Sequence, residues 1–120
     1  MPIPSEIQSL VDRLDRELGE IEREATEGLN LVRPILSNFP DNVRLIQFMA
    51  FFNNGLLFVE ISGKRIEAIV ERLKAPDVTT EEIQESGEDL SMLLGQALEA
   101  KIRGERKSYR MKKNLMNYSH

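Results

Sequence analysis

The residues that could do chemistry in this 120-residue chain are cations close to its C-terminus. They recur at helical spacing, so one helix would carry several positive charges along its length. A segment of this kind can bind the phosphates of a nucleic acid or an anionic membrane surface. The candidate polyanion contacts are Arg103, Arg106, Lys107, Arg110 and Lys113.

The rest of the chain has the opposite charge. Residues 1–98 hold 9 Lys and Arg against 18 Asp and Glu, whereas residues 99–120 hold 7 against 2. Residues 6–27 are also acidic, so the basic segment can pair with the first helix, within one chain or between two chains. This internal pairing is favoured over nucleic-acid binding, which stays as the alternative.

Residue types exclude much catalytic and metal-binding chemistry. The chain has no cysteine, and its single histidine is the terminal His120. Thiolate ligands, disulfides and the commonest general base are therefore absent from any folded site. Carboxylates are abundant, but they lack the Glu-x-x-His pairs of di-metal helical bundles. We predict that the protein is not an enzyme and has no catalytic residue, metal or cofactor.

Three helical segments would have to position these side chains. In the first, apolar or small residues recur at steps of three and four, which is typical of a coiled-coil-like helix. We predict that Ser5 caps this helix and that Pro34 kinks or ends it near residues 31–33. The recurring residues are Ile7, Val11, Leu14, Leu18, Ile21, Ala25, Gly28, Val32 and Ile35.

The second segment repeats this spacing from Leu45 to Leu73, with Asp41 as its expected cap. The spacing continues through Asn53-Asn54-Gly55, which favours one long helix because a turn would not preserve helical phase. Asn-Gly is, however, a strong hairpin signal between two apolar runs. The alternative is therefore an α+β fold with a β-hairpin at residues 44–61.

The third segment begins with a capping-box pattern at Thr79 and Glu82. Its inner residues run from Ile83 to Ala97, and the apolar pattern weakens beyond Lys101. We predict a single helical domain at residues 1–104 and a basic C-terminal extension at residues 105–120 that frays.

The middle of the second helix is apolar on all sides, so three helices would not cover it and a second copy of the chain is expected. One side beside the buried row carries Phe48, Phe51, Gly55 and Phe58, and the other carries Ile46, Ala50, Asn53, Leu57 and Ile61. A buried asparagine would lower stability but fix the register of the dimer. The predicted dimer or partner interface is Phe48, Phe51, Asn53, Gly55 and Phe58.

Together these patterns predict an all-α protein of three helices. A long antiparallel helical hairpin and a C-terminal helix would form a homodimeric bundle. Polar residues within residues 43–61 argue against a membrane span, and the N-terminus does not resemble an export signal, so we expect a cytoplasmic protein. Its predicted function is that of an adaptor, regulator or assembly factor that presents helix faces to a protein partner.

Overall fold

The computed structural model describes residues 3–118. This range contains the α-helices α1 (Ser5–Asn38), α2 (Val43–Leu73) and α3 (Thr80–Leu115), followed by a 3-10 helix at Met116–Tyr118. No strand occurs in the described range, so the all-α prediction is confirmed and the alternative β-hairpin at residues 44–61 is wrong. Asn53, Asn54 and Gly55 lie inside α2.

Contacts between the helices give their directions. Gly28 of α1 lies against Phe52 of α2, and Ala25 lies against Gly55, so the two helices run in opposite directions. α3 runs in the same direction as α1, because Gly87 contacts Ile7 at one end and Lys112 pairs with Glu27 towards the other. The bundle measures 62 × 19 × 17 Å. α1 packs extensively on both other helices, whereas α2 and α3 meet along a smaller area.

The apolar row predicted in α1 forms the axis of the core. Every member from Ile7 to Val32 is buried. One core cluster surrounds Leu14 and Leu90, and a second surrounds Leu29 and Phe52. Burial of this kind contributes about 1.5–3 kcal/mol for each large apolar side chain, so packing rather than helix propensity holds the bundle together.

α1 does not end at residues 31–33 but continues to Asn38 with Pro34 inside it. Proline removes one backbone hydrogen bond, yet the flanking residues Val32 and Ile35 still pack on the second core cluster. Their burial keeps the last turn helical, so the predicted early end is wrong.

The helix starts were predicted with mixed success. Thr79 caps α3 as expected, because its hydroxyl accepts a hydrogen bond from the Glu82 N–H at 3.1 Å. The Glu82 carboxylate does not complete the predicted capping box but forms an ion pair with Arg72 at 2.6 Å. At α2 the cap is Asn42 rather than the predicted Asp41, and at α1 it is Pro4 rather than Ser5, with no side-chain bond. The side-chain oxygen of Asn42 accepts a hydrogen bond from the Leu45 N–H at 3.1 Å, as is typical of an N-cap residue.

The predicted C-terminal extension continues α3 without interruption through Gly104 to Leu115. At its end the Asn42 amide donates a hydrogen bond to the Tyr118 hydroxyl at 2.6 Å, and the Tyr118 ring lies 5.1 Å from that of Phe39. These contacts hold the end of the chain against the loop between α1 and α2. Residues 119 and 120, for which fraying was also predicted, lie outside the described range.

Candidate functional site

The outward side of α2 carries a row of exposed residues, most of them apolar. Ile46, Leu57 and Ile61 are 41%, 52% and 58% exposed, and Ala50 and Asn53 are exposed between them. The spacing of three or four residues places all five on one side of the helix, opposite the core. We call this row of residues 46, 50, 53, 57 and 61 the α2 stripe.

α2 is also, among the described residues, the one helix long and apolar enough to cross a membrane by length and composition. That test does not by itself identify a membrane span, because core helices of other proteins pass it too. Only 22% of its most apolar window is buried inside the protomer. Much of the apolar surface of α2 therefore lies on the outside of the bundle.

The residues predicted to form a dimer or partner interface are divided between two sides of α2. Asn53 belongs to the exposed α2 stripe. Phe48 is only 6% exposed and packs in the second core cluster. Phe51, Gly55 and Phe58 are half-buried and face α1 and α3. The apolar surface left for a partner is therefore mainly the aliphatic side of α2 rather than its phenylalanine side.

A cavity of about 250 Å³ lies where these half-buried residues meet the other helices. Its walls are mainly apolar and include three phenylalanines, and small residues from each helix leave the space open. Glu24 and Arg103, which carry opposite charges, both line the cavity. Burial of the Glu24 carboxyl raises its pKa, and repulsion from Glu105 raises it further. The lining residues are Ile21, Glu24, Ala25, Phe51, Phe52, Asn54, Gly55, Phe58, Ala100, Arg103 and Gly104.

A second opening, of about 460 Å³, lies where the start of α2 faces the end of α3. Arg44 reaches it from α2, and Lys107, Arg110 and Lys113 reach it from α3. None of the described residues that line it is acidic. We call this opening the basic groove. Its lining is completed by Gln47, Phe48, Asn114 and Asn117.

The cations on the α1 side of α3 are neutralised within the protomer. Lys101 pairs with Glu17 at 3.1 Å and with Glu20 at 2.6 Å, and Lys112 pairs with Glu27 at 3.2 Å. The hydrogen bond from Lys101 lowers the pKa of Glu20, and the two glutamates raise the pKa of Lys101. The pairing with the first helix that the charge pattern predicts therefore occurs at Lys101 and Lys112.

Within the described residues, none of the five predicted polyanion contacts forms an ion pair with α1. Arg103 lines the cavity and has only a 3.9 Å contact with Glu99, while Arg106, Lys107, Arg110 and Lys113 form no ion pair within residues 3–118. Lys107 lies 5.1 Å from the centre of the Phe51 ring, and Lys113 lies 5.4 Å from that of Tyr109. Three of the five predicted contacts, Lys107, Arg110 and Lys113, thus line the basic groove.

Sequence reasoning missed Arg44, which joins these cations from another helix. It stands more than sixty residues before Lys107, so its neighbourhood depends on how the helices pack. The charge pattern predicted only a pairing of the basic segment with the first helix, so it gave no indication that Arg44 of α2 would lie near these cations.

Among the described residues, no group of three or more Asp, Glu or His side chains is placed to hold a metal ion. No protein-family model, curated protein or solved structure matches the chain. Its function is therefore inferred from its own surfaces.

Proposed function

We propose that this protein is a non-enzymatic helical interaction protein, an adaptor, regulator or assembly factor that works as a homodimer. The observation that carries this proposal is the α2 stripe, an apolar row left uncovered along the middle of a long helix. A continuous exposed apolar surface commonly marks a site of protein association. In the dimer, the antiparallel hairpin of α1 and α2 from each chain would place its α2 at the centre.

The order of residues in the α2 stripe suits pairing with a second copy in the opposite direction. A twofold axis between residues 53 and 54 would set Ile46 against Ile61 of the second copy, and Ala50 against Leu57 of the second copy. A small residue would thereby meet a large one on each side of the axis. Such self-complementary contact is what a twofold dimer requires.

The charges of α3 favour the same direction. Residues 80–99 contain six acids and no base, whereas residues 101–115 contain seven bases and one acid. An antiparallel dimer brings the acidic half of each bundle towards the basic half of the other, while a parallel dimer brings like charges together. Complementary potentials of this kind select the orientation of a complex more than they raise its affinity.

Asn53 lies near the axis of the proposed dimer. Its side chain is exposed in the protomer and would become buried between two α2 helices. A central asparagine that pairs with its counterpart holds one register at a cost in stability. Asn53 would therefore set the alignment of the two chains rather than strengthen their association.

Sedimentation equilibrium at micromolar protein tests the proposal with two matched variants. Leu57→Glu places a charge on the α2 stripe, and Ile102→Glu places one on α3 at nearly the same exposure, 52% against 50%. We expect a dimer for the wild type and for Ile102→Glu, and a monomer for Leu57→Glu with unchanged helical content. A monomeric wild type, or equal dissociation of both variants, would overturn the proposal.

Direction is tested by disulfide formation, since the chain has no cysteine of its own. Mixing the Ile46→Cys and Ile61→Cys variants under oxidising conditions should give the mixed disulfide in the antiparallel arrangement. Disulfides between two copies of the same variant, without the mixed disulfide, would show a parallel dimer. That outcome would keep the homodimer but reject its direction.

A further inference from the structure

The geometry of the basic groove points to a second activity, and we propose that it binds the phosphate backbone of single-stranded nucleic acid. Four cations from two helices line one recess of about 460 Å³. With one phosphate for each cation, the contact would span about four nucleotides, which is within the range of compact single-strand sites.

The positive charge of the groove is uncompensated within the chain's described residues. Arg44, Lys107, Arg110 and Lys113 converge without an ion pair to any described residue, although the chain as a whole is acidic. Elsewhere on α3, acids of α1 neutralise Lys101 and Lys112. Bringing like charges together costs free energy, and a bound anion removes that cost.

The groove also carries hydrogen-bond donors that suit a phosphate group. Arg44 and Arg110 carry guanidinium groups, which can bind a phosphate through two parallel bonds. Gln47, Asn114 and Asn117 add amide groups to the lining.

Shape and charge favour a short single strand over a membrane or a long duplex. The groove is a recess between two helices, which a flat bilayer does not enter but a flexible strand does. Residues 80–99 of α3 hold six acids, so a rigid duplex along the bundle would meet repulsion. Tyr109, next to Arg110 in the sequence, is 64% exposed, and a base can stack on its ring in place of the Lys113 ammonium.

This site does not depend on the proposed dimer. Arg44 and Asn53 are nine residues apart, so they project from opposite sides of α2. The basic groove would remain open when the α2 stripe is covered.

Fluorescence anisotropy with a labelled oligo-dT of about 12 nucleotides tests the inference. The groove variant is Arg44→Gln with Arg110→Gln, and its matched control is Arg13→Gln with Arg65→Gln, two exposed arginines outside the groove and near the other end of the bundle. Both double variants lose the same charge. We expect binding to weaken at least about tenfold in the groove variant and less than about twofold in the control.

The salt dependence provides a second readout. Release of counterions from a single strand gives a slope of about −0.7 for each phosphate neutralised, so four contacts predict a slope of about −3 in a plot of log K against log salt. The groove variant should show about half that slope. The control should keep the full value.

Three outcomes would overturn the inference. Equal weakening in both double variants would mean that net charge, not the groove, attracts the strand. Binding of phosphatidylserine vesicles without binding of oligo-dT would assign the groove to a lipid headgroup. Binding of tripolyphosphate alone would assign it to a small free anion.

Discussion

The two sides of α2 carry apolar residues of similar kind but differ in what covers them. Phe52, on the inner side, is 1% exposed and lies on Gly28, while Leu57, on the outer side, is 52% exposed. The two residues are only five positions apart in the sequence. The comparison shows that burial in this protein follows from a matching surface on a neighbouring helix, here a glycine that admits a ring, and not from the hydrophobicity of the segment alone.

The largest expected difference between the two sides comes from truncating one residue on each. Phe52→Ala should lower the free energy of unfolding by about 3–5 kcal/mol, because it leaves a cavity in the second core cluster. Leu57→Ala should change it by less than about 0.5 kcal/mol at concentrations where the chain is monomeric. Urea denaturation followed by circular dichroism measures both. If both variants lost the same free energy of unfolding at every protein concentration, the proposed difference in burial between the two sides of α2 would be contradicted.

The close approach on the inner side can be tested with a single methyl group. A Cβ added at Gly28 would lie 2.5 Å from the ring of Phe52, a rigid side chain that is only 1% exposed, so Gly28→Ala should lower stability by about 1–3 kcal/mol.

The matched control is Gly104→Ala. Its added Cβ would meet the Glu24 carboxylate at the same 2.5 Å, but that group ends a flexible side chain and can swing away. Alanine also favours the helix by about 1 kcal/mol, so this variant should be neutral or more stable. A large loss of stability in Gly104→Ala as well would show that the glycines matter for another reason.

On the outer side, Asn53→Leu should raise stability while removing the specificity of association. Leucine buried between two α2 stripes would contribute about 1 kcal/mol or more and would no longer select one register. Thermal denaturation together with sedimentation velocity should show a higher Tm and several oligomeric species. A single oligomer with an unchanged Tm would reject the role of Asn53 in alignment.

The smallest expected effects concern two glutamates of α1, Glu24 and Glu20, and these effects depend on pH. Burial raises the pKa of Glu24, so its ionised form is disfavoured in the folded chain and the loss of stability develops as the pH rises through that pKa. Glu24→Gln should therefore raise the Tm at pH 7, with the gain disappearing in acid.

Glu20→Gln provides the opposite case. Lys101 lowers the pKa of Glu20, so stability from this carboxylate is present above its ordinary pKa and is lost as the pH falls through the lowered value. The variant should lower the Tm slightly at pH 7 and match the wild type in acid. Scanning Tm between pH 2 and pH 8 for both variants checks the two signs.

Much of the fold was predictable because helical spacing is local information. The buried row of α1 and the helical phase through Asn53-Asn54-Gly55 both follow from steps of three and four. Caps were harder, because Asn42 and Asp41 are adjacent and both are good capping residues.

The sites were less predictable, since periodicity orients each helix about its own axis but does not say where the third helix lies. The side of α2 that carries Phe48 and Phe51 and the side that carries Leu57 are equally apolar in the sequence. α3 lies against the phenylalanine side, and the pairs of Lys101 and Lys112 with α1 help to hold it there. The same packing brings Arg44 to Lys107 and Lys113, which no spacing within one helix indicates.

The parallel arrangement of α1 and α3 has a consequence for how the chain folds. Lys101 meets Glu17 across 84 residues of sequence, whereas Gly55 meets Ala25 across 30. Contacts between near segments form with less loss of chain entropy, so we expect α1 and α2 to associate first and α3 to dock last. During synthesis, the phenylalanine side of α2 would then face water, in addition to the aliphatic side, until α3 emerges and covers it. This interval is when the nascent chain is most exposed to aggregation.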